Sequence, residues 1–130
     1  MAFNFKFDHS KPGLRKVFKE YQELVLRCVW EKGEQGVGSR AVREYVLERQ
    51  TERKKISQAS IIGFLEKMRK QGVLRHIEET SRGGHRKIYY PLIDEESLVK
   101  QIAITMVHSL MRDFPVETQE YLDESGYFSE

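Results

Sequence analysis

Apolar positions recur along this chain at two periods, and the change of period marks the change of structure. Leu14, Val17, Phe18, Tyr21, Leu24, Val25, Cys28 and Val29 step by three and four residues. That spacing predicts one helix over 14–32, with a single buried stripe and a stop at Gly33. Gly36-Val37-Gly38 has room only for a bridging strand. Ser39 suits the N-cap of a second helix whose inner face is Val42, Tyr45 and Val46, and a polar stretch over 50–55 follows. Ser57 suits the cap of a third helix ending at Gly72, with Ile61, Leu65 and Met68 turned inward. Residues 73–79 and 87–92 are rich in β-branched and aromatic residues and predict two strands. The turn between them, 80–86, contains Gly83-Gly84, a pair that accepts positive φ. A last helix is expected to start after Asp94, Glu95 and Glu96, acids that suit a helix N-terminus, to run to about Asp113 and to stop before Pro115. Phe3, Phe5 and Phe7 alternate with polar residues in a strand-like arm that Lys11-Pro12-Gly13 ends. Three phenylalanines on one face need an apolar surface to dock on.

The expected fold is mainly α with a small β-hairpin. It comprises an arm over 1–13, a helix-turn-helix domain with a hairpin wing over 14–93, and a C-terminal helix with an acidic tail over 94–130. A chain of 130 residues has space for one such domain plus an appended helix. The single cysteine, Cys28, lies in an apolar helical run and reads as a packed thiol, which leaves no internal disulfide and no multi-cysteine metal site. No basic-then-apolar leader opens the sequence, and no apolar run approaches the roughly 18 residues a membrane span requires. A reducing cytoplasm is the expected compartment.

Charge divides the chain more sharply than its net of +2 implies. Residues 39–91 carry 13 Lys/Arg against 6 Asp/Glu, whereas 92–130 carry 2 against 9. A basic middle before an acidic end predicts that one surface meets a polyanion and the other avoids it.

The third helix and the wing supply the groups for that meeting. In a helix-turn-helix the third helix lies in the major groove of double-stranded DNA and its first turns touch base edges. With Ile61, Leu65 and Met68 inward, the opposite face presents Ala59, Ser60, Gly63 and Lys67, with Gln58 and Ile62 at its margins and Ser57 at its cap. Gln58 can pair with a base edge, Ala59 can touch a thymine methyl, and Gly63 permits close approach. Arg53, Lys54 and Lys55 before this helix, and Arg82, His85, Arg86 and Lys87 in the wing, are candidate backbone or minor-groove contacts. The same residues also allow a winged-helix protein-interaction module within a larger assembly. The basic flanks of the third helix favour DNA.

From Tyr21 to Glu96 the sequence resembles the penicillinase-repressor family of winged helix-turn-helix transcriptional regulators. The matching stretches are 26–33 around Trp30, 39–46, the Ile56-Ser57-Gln58-Ala59-Ser60-Ile61 run, 65–74, and 90–96 beginning Tyr90-Pro91-Leu92. PadR-like regulators are similar around the wing. The resemblance implies a homodimer, joined through C-terminal helices, that represses transcription from a two-fold symmetric operator. Relatives that answer β-lactams are cut at an Asn-Phe bond in the C-terminal region, but the one asparagine here is Asn4. Copper-responsive relatives carry a cysteine cluster after the wing, which this sequence lacks. The inducer, whether small molecule or protein, is left open.

The last helix predicts dimerisation on its own pattern. Leu98, Ile102, Met106, Leu110 and Phe114, flanked by Val99, Ala103, Val107 and Met111, make a stripe wide enough for two surfaces. Closing its own domain is the other use of such a helix. No enzyme, cofactor or metal site is expected. His9, His76, His85 and His108 are scattered, and Gly33, Gly36 and Gly38 are followed by no Gly-Lys-Ser/Thr.

Overall fold

The computed structural model describes residues 3–126, apart from Arg82 and the side chain of Ser81. These residues form two compact units, one over 4–95 and the other made of the chain from Glu96 onward together with Phe3.

The first unit opens with an extended arm and a 3-10 turn, Gly13–Lys16, and continues into α1, Glu20–Lys32. The expected helix over 14–32 is therefore interrupted at Val17–Lys19. Lys19 is extended, and its N–H donates to Gln22 Oε1 at 2.9 Å, so a fresh helix start is capped there. Leu14 and Phe18 stay buried across the break, which is why the apolar spacing conceals it. Val25, Leu26, Cys28 and Val29 carry the buried face of α1 into the core. A short strand β1, Val37–Gly38, leads into α2, Ser39–Arg49. Gly38, rather than Ser39, occupies the N-cap, because β1 stays paired to its last residue and the helix starts immediately after it. Helix α3, Gln58–Lys70, is capped as expected, with Ser57 Oγ accepting from the Ser60 N–H at 3.1 Å. Its buried face is Ile61, Leu65 and Met68, with Phe64 added.

Strands β2, Leu74–Ser81, and β3, Gly84–Pro91, form an antiparallel hairpin, and β1 adds to the far side of β3 to give the order β1-β3-β2. The hairpin ladder extends to Ser81–Gly84, so the expected turn over 80–86 is largely strand. Cross-strand partners account for the extension. Glu79 faces Arg86 and accepts its Nε–H at 3.3 Å, and Thr80 Oγ1 lies 3.3 Å from His85 Nδ1. Gly36, at φ +76°, precedes the bridging strand where a Cβ would stand 2.6 Å from Ile88 and from the Tyr90 ring, so no larger residue fits. Residues 3–7 pair in no strand; Phe3 is buried, Phe5 half-buried and Phe7 exposed.

The second unit contains most of α4, Glu95–Asp113, and all of α5, Pro115–Ser125. Pro115 ends the first helix and opens the second at a position where its missing N–H costs nothing. Leu98 and Ile102 of the apolar stripe are buried, Met106 is half-buried, and Leu110 and Phe114 are half or more exposed. Helix α5 buries none of its residues, and Val116 and Tyr121 stand in solvent.

Candidate nucleic-acid interface

The segment between α2 and α3 is a built turn. Gln50 Nε2 donates to the carbonyls of Glu52, at 2.9 Å, and Lys54, at 2.6 Å, while its Oε1 accepts from the Ile56 N–H. Arg43 Nε donates to the Ile56 carbonyl at 2.9 Å. From α1, Glu20 accepts the Thr51 N–H at 2.8 Å and the Thr51 hydroxyl at 2.6 Å. The Thr51 hydroxyl bond holds the Glu20 carboxyl below its usual range against a smaller opposing effect of burial. Held from three sides, the turn leaves Arg53, Lys54 and Lys55 exposed immediately before the N-terminus of α3.

Along α3 the exposed positions are Ala59, Ile62, Gly63, Lys67 and Lys70. Ile62, at one margin of this face, is exposed as well. Gln58 and Ser60 are half-buried. Ser60 Oγ takes a 2.9 Å hydrogen bond from Ser57 Oγ, and Gln58 Nε2 is buried without a partner among the described residues. Gly63 sits in mid-helix, where an added Cβ would meet nothing within 4 Å. Packing inside the chain does not require a glycine there, although glycine costs a helix interior about 0.5–1 kcal/mol relative to alanine.

One edge of this face is tied to the wing by a carboxylate that sequence reasoning passed over. Glu66 accepts the Tyr89 hydroxyl at 2.6 Å and the Arg69 guanidinium at 3.2 Å. His76 Nδ1 lies 3.2 Å from it and Lys87 Nζ 3.5 Å from it. Burial opposes the charge on Glu66, but the hydrogen bonds from Tyr89 and Arg69 and the charges of Lys87 and Arg69 prevail and hold its carboxyl at about 2. Burial and the neighbouring carboxylate push the Tyr89 phenol well above its ordinary range. His76 packs edge-on to the Tyr89 ring, with centroids 5.6 Å apart. The Glu66–Arg69 spacing of three was visible in the sequence; the strand partners were not.

In the wing, His85 and Arg86 are exposed and Lys87 is half-buried beside Glu66. Arg82, the fourth candidate, lies outside the described residues. Cys28 is buried and its thiol pushed up to about 11, first by burial, as befits a packed side chain. Among the described residues, no three metal-ligating side chains cluster, and no helix is long and apolar enough to cross a membrane.

Comparison with known proteins gives this arrangement its context. A solved structure from Methanosarcina mazei Go1, described as a "Possible transcriptional regulator", superposes with a TM-score of 0.58 at 13% identity, covering 80% of this chain and 79% of that one. At that identity the likeness is one of fold, and it confirms the winged helix expected from the sequence. No curated protein matches the chain. The family model described as penicillinase repressor matches residues 19–125, from the start of α1 to the end of α5. The chain therefore belongs to the penicillinase repressor family, and it is a DNA-binding transcriptional regulator rather than an enzyme.

Proposed function

We propose that the chain is a sequence-specific, dimeric repressor that sets helix α3 in the major groove and the wing over 80–87 on the adjacent backbone or minor groove. The observation that carries this reading is the outer face of α3. Ala59, Ile62, Gly63 and Lys67 form a small, exposed surface, with Arg53, Lys54 and Lys55 at its N-terminal end and the wing at one edge. Gly63 has no packing role within the chain and gives a base pair room to approach. Gln58, whose buried Nε2 lacks a partner among the described residues, gains one by turning toward a base edge, since an unsatisfied buried polar group costs about 1–3 kcal/mol. Ser57 and Ser60, already hydrogen-bonded to each other, position the first turn, and the exposed basic residues meet phosphates.

The dimer belongs to the same reading. Leu98 and Ile102 are already buried in the chain, so the part of the stripe open to a second copy is Met106, Leu110 and Phe114. In this organisation residues 1–13 are the arm, 14–93 the DNA-binding domain and 94–130 the dimerisation segment. The direct test is binding to mixed genomic DNA over a range of salt. Phosphate contacts predict a steep linear fall of log Kobs with log salt, whereas a protein-docking module predicts almost none.

A further inference from the structure

The family match begins at residue 19, so the segment over 4–18 precedes the region shared with other repressors. It nonetheless folds onto the winged domain. Asp8 N–H donates to the Lys16 carbonyl at 2.7 Å, and Asp8 Oδ1 accepts from the Ser10 N–H and hydroxyl at 3.0 and 2.6 Å, which closes the arm into a loop. Gln71 Nε2, at the end of α3, donates to the Asn4 carbonyl at 3.2 Å. The Phe18 ring meets the edge of Phe64, also on α3, at 5.8 Å.

Between this segment and α3 runs an open groove of about 610 Å³. Cations dominate its lining: Lys6, Lys11, Arg15, Lys16, Lys19 and, from α3, Lys67. Three acids share the lining, and two of them are committed elsewhere, Asp8 to Ser10 and Glu20 to Thr51. Lys16 is also committed, since its Nζ donates to the carbonyls of His9 and Lys11. Lys6, Lys11, Lys19 and Lys67 are exposed and form no ion pair among the described residues.

The location gives these charges a use. Lys67 lines the groove and also stands on the exposed face of α3. Glu52, at another point of the lining, adjoins the Arg53-Lys54-Lys55 turn. Successive residues of a helix point about 100° apart, so Glu66 and Lys67 look to different sides. Glu66 reaches the wing, and Lys67 lines the groove beside the arm. The face proposed for base recognition is therefore bordered by the wing on one flank and by a cationic groove on the other.

We propose that residues 4–19 form a second clamp on the DNA backbone, with Lys6, Lys11 and Lys19 contacting phosphates on the flank of α3 opposite the wing. This rests on the reading of α3 as the helix that enters the major groove. Phe18, packed against Phe64, anchors the segment, and its lysines face the polyanion.

The test compares three full-length chains by fluorescence anisotropy on a labelled 30-base-pair duplex of mixed sequence, titrated at several sodium chloride concentrations. They are wild type, the triple variant Lys6→Ala, Lys11→Ala, Lys19→Ala, and the triple variant Arg53→Ala, Lys54→Ala, Lys55→Ala. The arm variant is expected to keep its circular dichroism, since none of the three side chains is buried, and to lose about 0.9 from the salt slope for each phosphate contact removed. Replacing the same lysines with arginine should restore the slope. A slope unchanged in the arm variant but lowered in the turn variant overturns the clamp and leaves the reading of α3 intact. Wild type without salt-dependent binding overturns both.

Discussion

Tyr89 on β3 donates its hydroxyl to Glu66 on α3 at 2.6 Å, and through that bond the wing is held against the helix proposed to read DNA. Glu66 also accepts from Arg69 and lies within ion-pair distance of Lys87 and His76, so one carboxylate gathers groups from the helix and both strands of the hairpin. A buried phenol bonded to a charged acceptor is a strong link. Tyr89→Phe should destabilise the fold by about 1.5–3 kcal/mol, the usual loss for a hydrogen bond to a charged group. Urea denaturation measures it.

The same carboxylate sets a response to acid. Its folded value of about 2 lies below the ordinary glutamate value of 4.5, so its contribution is complete above about pH 4.5. As pH falls through 4.5 toward 2, the unfolded state takes up the proton first and that stability is lost. Glu66→Gln should flatten this part of the stability-versus-pH curve. Denaturant midpoints of wild type and variant between pH 2 and 6 check the sign, and curves of equal slope would remove Glu66 from the account.

Gly63 separates folding from binding. Gly63→Ala adds a methyl where nothing within 4 Å resists it, so the helix should gain about 0.5–1 kcal/mol and the melting temperature should rise. Binding to the cognate site should weaken if a base pair approaches there. A variant that is more stable and binds equally well would leave Gly63 outside the interface.

The elements were legible in the sequence wherever local spacing dictates them. The inner face of α3 and the Ser57 cap follow from a period that involves only neighbouring residues. The break at Val17–Lys19 was hidden because Leu14 before it and Phe18 within it are both buried, while its cause is a side chain, Gln22, reaching back to a backbone N–H. Strands β2 and β3 run further than expected because Glu79–Arg86 and Thr80–His85 are cross-strand pairs, which glycine-based turn signals do not register. On the candidate interface, Gln58 and Ser60 each lie about 100° from Ala59 around the helix. That places them at the margins, half-buried, while Ile62 at the edge of the same face stays exposed. Glu66 meets partners 10 and 23 residues away that become neighbours only once the hairpin register is set.

Gln58 distinguishes reading from positioning. Gln58→Ala should cost on the order of 1–3 kcal/mol at the cognate site and little on random duplex. Equal losses on both would show that Gln58 only orients α3.

Assembly through the C-terminal helices has a separate test. Leu110→Glu with Phe114→Glu should convert a dimer to a monomer in sedimentation velocity while circular dichroism stays unchanged, because both side chains are exposed in the single chain. A variant still dimeric would move the interface to other exposed residues, Val116 and Tyr121 on α5 first among them.

The central claim is that the face of α3 reads base sequence as one half of a symmetric pair. Selecting bound duplexes from a random pool, with the full chain, tests it most directly. The account predicts enrichment of a two-fold symmetric site whose half-sites are centred about 34–36 Å apart, or a multiple of one helical turn. A pool that retains no common sequence after selection would contradict it.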